Sequence, residues 1–217
     1  MMPDQPKLVI FDWDGTLFDS VGQIVKSLLY AAQQFDQPLA DDAAKSIIGL
    51  GLPEVMQILF PKVPELHPSI LEHYASHYVE NSQQDQWFHG VAEMLDDLKQ
   101  RGFKLAVATG KSRRGLDRVL AKTNSQNLFD ITRAASETKS KPHPQMLQEI
   151  LSFTGVSPEQ AIMVGDTSYD LEMAKNIAMP RVGVSYGVHS VDVLQQYQPL
   201  MIAENVPVLH DYLTAFA

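Results

Sequence analysis

Three aspartates fall within eight positions of the stretch FDWDGTLFDS, Phe11 to Ser20. Asp12 and Asp14 stand two residues apart, at and just past the end of an apolar run. In extended chain they point to one side, and Gly15 permits a sharp turn after them. Asp-x-Asp-Gly is also ordinary turn material. Further along, another apolar run ends in GDTSYD and supplies Asp166 and Asp170. If the two runs are neighbouring parallel strands, they end at one edge of a sheet, and Asp166 can approach Asp12. Carboxylates gathered in this way repel one another unless a cation joins them. A ligand set made only of oxygens suits a hard ion that keeps some of its water, which favours Mg2+. A third run ends in Thr109-Gly110, a hydroxyl and a flexible backbone amide able to hold the oxygens of an anion. Lys141, in KPHP, adds a fixed positive charge. Together these groups suit phosphoryl transfer.

The elements that must position them are short apolar strands: KLVIF at 7–11, KLAVAT at 104–109, AIMVG at 161–165 and RVGVSY at 181–186, with DITRAA at 130–135 a weaker one. Such runs fit strands buried on both faces of a parallel sheet. Between them, apolar residues at helical spacing predict helices over 91–100, 115–122 and 145–153. Alternating strands and helices imply an α/β fold with a Rossmann-like three-layer core and a parallel sheet. Residues 18–87 break the rhythm. They contain only helix-like segments (22–35, 41–48, 53–60, 68–81), punctuated by Pro38, Gly49, Gly51, Pro53, Pro61 and Pro64. The expected organisation is a core of residues 1–17 and 88–217, with an all-helical cap, 18–87, inserted after the first strand. It would sit over the carboxyl ends of the strands, where open α/β sheets bind ligands.

The set DWDGT at 12–16, the threonine of VATGK at 109, the lysine of SKPHP at 141 and GDTSYD at 165–170 resembles the haloacid dehalogenase superfamily of phosphohydrolases. The likeness is to its phosphoglycolate phosphatase-like members with a small helical cap, and the four motifs span nearly the whole chain. The resemblance implies that Asp12 attacks phosphorus and forms an aspartyl-phosphate. Asp14 would protonate the leaving oxygen and then deprotonate the hydrolytic water. It implies Mg2+ held by Asp12, the Asp14 backbone carbonyl and Asp166, with Asp170 close by or acting through water. Thr109 and the Gly110 amide would hold phosphate oxygens, and Lys141 would orient Asp12 and neutralise charge. Dehalogenating members lack the second aspartate, so Asp14 favours phosphate chemistry. Asp19 or Ser20 is expected to cap the following helix.

Other features exclude or compete. There is no cysteine, so disulfides, thiolate metal sites and cysteine nucleophiles are out. A formal charge of −9 disfavours nucleic acid and anionic membranes as partners, and the absence of a long apolar run predicts a cytoplasmic protein. TGKS at 109–112 lacks the first glycine of a P-loop, and GLGLPE at 49–54 lacks the third glycine of a dinucleotide fingerprint. GVSYG at 183–187 matches a serine-hydrolase elbow, with Ser185 as nucleophile and Asp192 and His210 in the required order. His73 and His77, four apart, could share a metal but lack the glutamate of a zinc protease. Lys111, Arg113 and Arg114 cluster where a helix begins, against its dipole. Lys111, nearest Thr109, either reaches the substrate or belongs to a solvated basic surface.

The substrate is expected to be a small phosphorylated metabolite. Phosphoglycolate would need a cation for its carboxylate, and residues 18–87 hold only Lys26, Lys45 and Lys62 and no arginine. Sugar phosphates and nucleotides stay open. The same motifs would also serve a phosphosugar mutase of the β-phosphoglucomutase kind, or a phospho-acceptor module without turnover.

Overall fold

The strand Leu8–Phe11 (β1) is apolar at every position because protein covers both of its faces. The computed structural model describes residues 6–84 and 86–215. The reading of the extreme amino terminus and the outermost ends of the 1–17 and 88–217 segments lie outside them. After β1 come a two-residue strand, Phe18–Asp19 (β2), and four helices: Val21–Gln33 (α1), Asp41–Ser46 (α2), Leu52–Leu59 (α3) and His67–Asn81 (α4). Gln86–Trp87 (β3) follows, and then Val91–Gln100 (α5), Lys104–Thr109 (β4), Arg113–Lys122 (α6), Ile131–Ala134 (β5) and Gln145–Thr154 (α7). The chain continues through Ala161–Gly165 (β6), Ser168–Lys175 (α8), Arg181–Val184 (β7), Val191–Gln195 (α9), Ile202–Ala203 (β8) and Val206–Thr214 (α10).

Six strands form one parallel sheet in the order β5-β4-β1-β6-β7-β8. The chain starts at the centre, runs outward through β4 and β5, and then returns to lay β6, β7 and β8 on the other side. The order therefore reverses beside β1, the place where such sheets bind ligands. Alternation along β1 sends Leu8 and Ile10 to one face and Val9 and Phe11 to the other. Val9 and Phe11 pack with Leu105 and Val107 against α5, α6 and α10. Leu8 and Ile10 pack with Met163 against α7 and α8. This is the expected three-layer α/β core. A third cluster, built from Ile24, Leu28, Ala44, Val55, Met56, Ile70 and Tyr78 among others, belongs to α1–α4 and the links between them.

Several expectations need amendment. Residues 18–87 are not helical throughout: β2 and β3 pair antiparallel, Phe18 opposite Trp87, and join the entry and exit of the helical insertion. Trp13 and Phe18 both lie against Trp87, with ring centroids 4.9 and 5.6 Å away. A two-residue strand has no periodicity to read, and its partner lies far along the chain. The strand expected over 181–186 stops at Val184. The helix expected from Gly115 begins at Arg113, because Ser112 Oγ accepts from the Gly115 amide at 3.1 Å and caps it. No helix among the described residues is long and apolar enough to cross a membrane.

Leu105 has no exposure and lies in the layer between β4 and α5. Leu105→Ala should lower the unfolding free energy in urea by about 2–5 kcal/mol; a change below 0.5 kcal/mol would mean the layer is not packed as described.

Candidate active site

The register delivers the acidic groups. Phe11 stands opposite Val107 of β4 and Val164 of β6, and the Asp12 amide donates to the Val164 carbonyl at 2.9 Å. Asp12 therefore leaves β1 beside the end of β6, which carries Asp166, and beside β4, which carries Thr109. Asp12, Asp166 and Asp170 each offer a carboxylate oxygen within 4.8 Å of the other two, and all three are buried. Lys141, 2% exposed, lies between two of them, with Nζ at 2.6 Å from Asp12 Oδ1 and 2.6 Å from Asp170 Oδ1.

Each carboxylate is held differently. Asp166 Oδ1 accepts from Thr16 Oγ1 at 2.8 Å and Oδ2 from the Val188 amide at 2.8 Å. Asp170 Oδ2 accepts from Thr167 Oγ1 and the Thr167 amide, and Thr167 Oγ1 in turn accepts from the Asp170 amide: a capping box at the start of α8. Asp12 Oδ2 is buried and has no hydrogen-bond partner. Glycines clear the space around the trio. A Cβ on Gly15, whose φ of +82° already disfavours a side chain, would lie 2.3 Å from Asp166 Oδ2. A Cβ on Gly187 would lie 2.2 Å from the same oxygen.

Burial raises the Asp12 carboxyl well above its ordinary range; Lys141 opposes this, while Asp170, Asp166 and Asp14 add to it. Burial, followed by the Asp170 charge, pushes Asp166 from 3.8 up to about 7, against the downward pull of its Thr16 and Val188 bonds. For Lys141, burial acts to lower the pKa, but the Asp12 and Asp170 carboxylates outweigh it and leave the ammonium stabilised. Three carboxylates against one ammonium leave two negative charges, which one divalent cation matches. The unpartnered Asp12 Oδ2 and the all-oxygen donor set fit such an ion.

Asp12 and Asp14 take different partners, although extended geometry would turn both to one side. The chain leaves the sheet after Phe11, and Asp14 Oδ1 turns to Lys111 Nζ at 2.8 Å and to Ser20 Oγ at 2.5 Å. Lys111 is thus neither solvated nor free; its side chain is about one-tenth exposed, and Nζ also lies 5.1 Å from the centre of the Tyr78 ring. Ser20 precedes α1 but its side chain makes no capping bond, and Asp19 is exposed, so the expected cap gives way to the Asp14 contact. Thr109 is fully buried, and its Oγ1 accepts from the Lys111 amide at 3.2 Å. At Gly110 a Cβ would lie 2.5 Å from the Gly49 carbonyl oxygen and 2.6 Å from that of Leu50. The loop leading to α3 therefore presses directly on the end of β4. The Gly51 amide donates to Ser140 Oγ at 2.8 Å and ties that loop to the Lys141 segment.

A cavity of about 640 Å3 opens from Asp14, Gly110 and Lys111 between α6 and the helical insertion. The competing constellations do not assemble. Ser185 Oγ donates to the Ala203 carbonyl at 3.4 Å, and His210 pairs with Asp97 at 2.8 Å, while Asp192 is exposed. His77 Nδ1 bonds Ser27 Oγ and His73 Nδ1 bonds the Ser69 carbonyl, so the two imidazoles serve separate contacts. Sequence reasoning gave Thr16, Thr167 and Val188 no role of their own and read Ser20 as a cap. Only Thr167 left a signal, since Thr-x-x-Asp at 167–170 has capping-box spacing.

A model of the haloacid dehalogenase-like hydrolase family matches residues 9–184. The chain is 35% identical over 204 residues to "Probable phosphatase IndB" of Dickeya dadantii, covering 91% of this chain and 89% of that protein. It is 29% identical to pyrophosphatase PpaX of Halalkalibacterium halodurans, covering 94% of each. A crystal structure titled a predicted phosphatase from Clostridium acetobutylicum superposes with a TM-score of 0.85 at 26% identity, covering 99% of this chain and 100% of that one.

Without a cation, a raised carboxyl binds its proton more tightly folded than unfolded, so the contribution of Asp166 to stability declines as pH climbs from about 4 to about 7. His189, whose burial lowers its imidazole, acts in the opposite sense. A divalent cation must displace the Asp166 proton. The rise in melting temperature given by Mg2+ should therefore grow between pH 5 and about 7. A rise independent of pH over that window would place the ion elsewhere.

Gly110→Ala should displace the Gly49–Leu50 loop and lower kcat/KM by at least about tenfold, with a crystal structure of the variant as the check. An unmoved loop would contradict the close approach.

Proposed function

The chain belongs to the haloacid dehalogenase-like hydrolase family, and from that premise we propose a Mg2+-dependent phosphatase that hydrolyses a small phosphomonoester through an aspartyl-phosphate on Asp12. Hydrolysis of phosphate esters is the activity of the family's phosphatases; the metal, the covalent route and the residue roles are the proposal. The observation that carries it is the unpartnered Asp12 Oδ2 within a buried acidic trio that Lys141 braces.

In this reading Asp12 attacks phosphorus, and the P–O bond to the leaving group breaks. Asp14 gives its proton to the departing oxygen. Asp14 then takes a proton from water, whose oxygen attacks the phosphorus and frees Asp12 and inorganic phosphate. Lys141 holds Asp12 by the 2.6 Å contact and offsets charge as the phosphoryl group arrives. Thr109 Oγ1 accepts from the Lys111 amide, so its own O–H can donate to a phosphoryl oxygen, as can the Gly110 amide. Mg2+, held by Asp12, Asp166 and the Asp14 backbone carbonyl with Asp170 beside it or acting through water, would supply the charge that offsets repulsion between carboxylate and phosphate. Lys111 must release Asp14 when substrate enters, so that the Asp14 side chain can turn to the departing oxygen. Residues 1–17 and 88–217 act as the catalytic core and 18–87 as the cap. The substrate in this reading is a small phosphorylated metabolite of the cytoplasm, and a net charge of −9 disfavours nucleic acid and anionic membranes as partners.

Two variants test the roles by release of inorganic phosphate in the presence of Mg2+, a readout that also separates hydrolysis from transfer between hydroxyls. Asp12→Asn should fold and lose turnover; retention of activity within about tenfold of the wild type removes it as nucleophile. Asp14→Asn should lower kcat by about 10²–10⁴, with the smaller loss for an ester whose leaving group needs no proton. An equal loss on all esters would count against the proton role.

A further inference from the structure

The cavity that opens from Asp14 is larger and more apolar than a two-carbon acid or a second phosphate needs. Its volume of about 640 Å3 falls in the range of about 300–1,000 Å3 that buries a drug-sized ligand. A water molecule, by comparison, takes about 30 Å3. Ile24 and Leu28 of α1, Ile47 and Leu50 between α2 and α3, Val55 of α3 and Tyr74 of α4 supply the wall. The exposed Glu72, Glu80 and Arg114 belong to its rim, with the half-buried Arg118 next to them.

The aliphatic wall disfavours strongly hydrated leaving groups. Lys26, Lys45 and Lys62 are not among the described residues that line the cavity. A polyol would need hydroxyl partners; the polar Glu72, Ser76, Glu80 and Arg114 stand exposed, while Leu28, Leu50 and Val55 are buried. Hydroxyls buried against the remaining aliphatic wall would lose their water without replacement.

We propose that the phosphomonoester taken by this site carries a ring-sized apolar leaving group, seated against Leu28, Leu50 and Val55. The proposal rests on the phosphatase reading of Asp12 and Asp14 and names the substrate class of that site.

The test compares cyclohexylmethyl phosphate with glucose 6-phosphate. Both are primary alkyl esters on a six-membered ring, and they differ chiefly in hydroxyls. Phosphoglycolate, pyrophosphate and acetyl phosphate complete the panel. The expected result is a kcat/KM for cyclohexylmethyl phosphate at least about tenfold above those for glucose 6-phosphate and phosphoglycolate. Turnover of acetyl phosphate with no such preference, or with glucose 6-phosphate, phosphoglycolate or pyrophosphate favoured, overturns the substrate class and leaves the phosphatase reading standing. No phosphate release from any ester overturns both. Val79, also on the cavity wall and 42% exposed, provides a variant that the fold should tolerate. Val79→Asp should shrink the cyclohexylmethyl-to-glucose preference at least about fivefold, and an unchanged preference counts against the proposal. Should that variant fail to fold, inhibition of the wild type decides: cyclohexylmethylphosphonate should inhibit acetyl phosphate hydrolysis at lower concentration than methylphosphonate, and equal potency overturns the class.

Discussion

One buried ammonium makes the centre of this molecule possible. Lys141 reaches Asp12 and Asp170 at 2.6 Å each, inside a core where three carboxylates would otherwise face one another without water. Removing one partner of a buried ion pair generally destabilises by about 3–5 kcal/mol, because the remaining charge is left without compensation. Here the compensation is partial. Burial, with the excess of negative charge adding to it, displaces Asp12 and Asp166 upward, and the same excess suits the site to a cation.

That imbalance requires backbone close to the carboxylates, and the sheet provides it. Placing β1 between β4 and β6 brings three chain segments to one edge. Small residues then let the loops close in. Gly15 and Gly187 leave room for the Asp166 carboxylate, and Gly165 leaves room for the Asp170 side chain, whose Cβ would lie 2.3 Å from a Cβ placed there. Tyr186 Oη donates to the Thr16 carbonyl at 3.0 Å and joins the β7 end to the loop after β1. The acidic groups are therefore positioned by main chain and short side chains, which reorganise little when charge moves.

The helical insertion adds a second, separable constraint. Gly49 and Leu50 rest on Gly110, the Tyr169 hydroxyl donates to the Ser46 carbonyl at 3.0 Å, and Gly51 is tied to Ser140. The insertion keeps its own apolar cluster, and Tyr169 and Val188 from outside the insertion pack against it. Lys111 spans the same boundary, touching Asp14 on one side and Tyr78 on the other.

The central strands, their parallel arrangement, the helical interruption and the identity of the acidic and basic groups were legible because each rests on local chemistry. An apolar run such as KLVIF is a doubly buried strand wherever it packs, and an aspartate at its end stays at the end. The short elements were not legible: β2, β3 and β8 are two residues each, and they exist only because distant partners complete their hydrogen bonds. Nor could the chain order reveal that Ser20 would turn from capping α1 to bonding Asp14, or that Lys111 would select Asp14. Those choices depend on which groups lose their water together. The sequence by itself determined which residues could carry charge and at which strand ends they stand. Tertiary structure alone decided which charges face each other, since pairing energies follow distance and burial, and neither is set by separation along the chain.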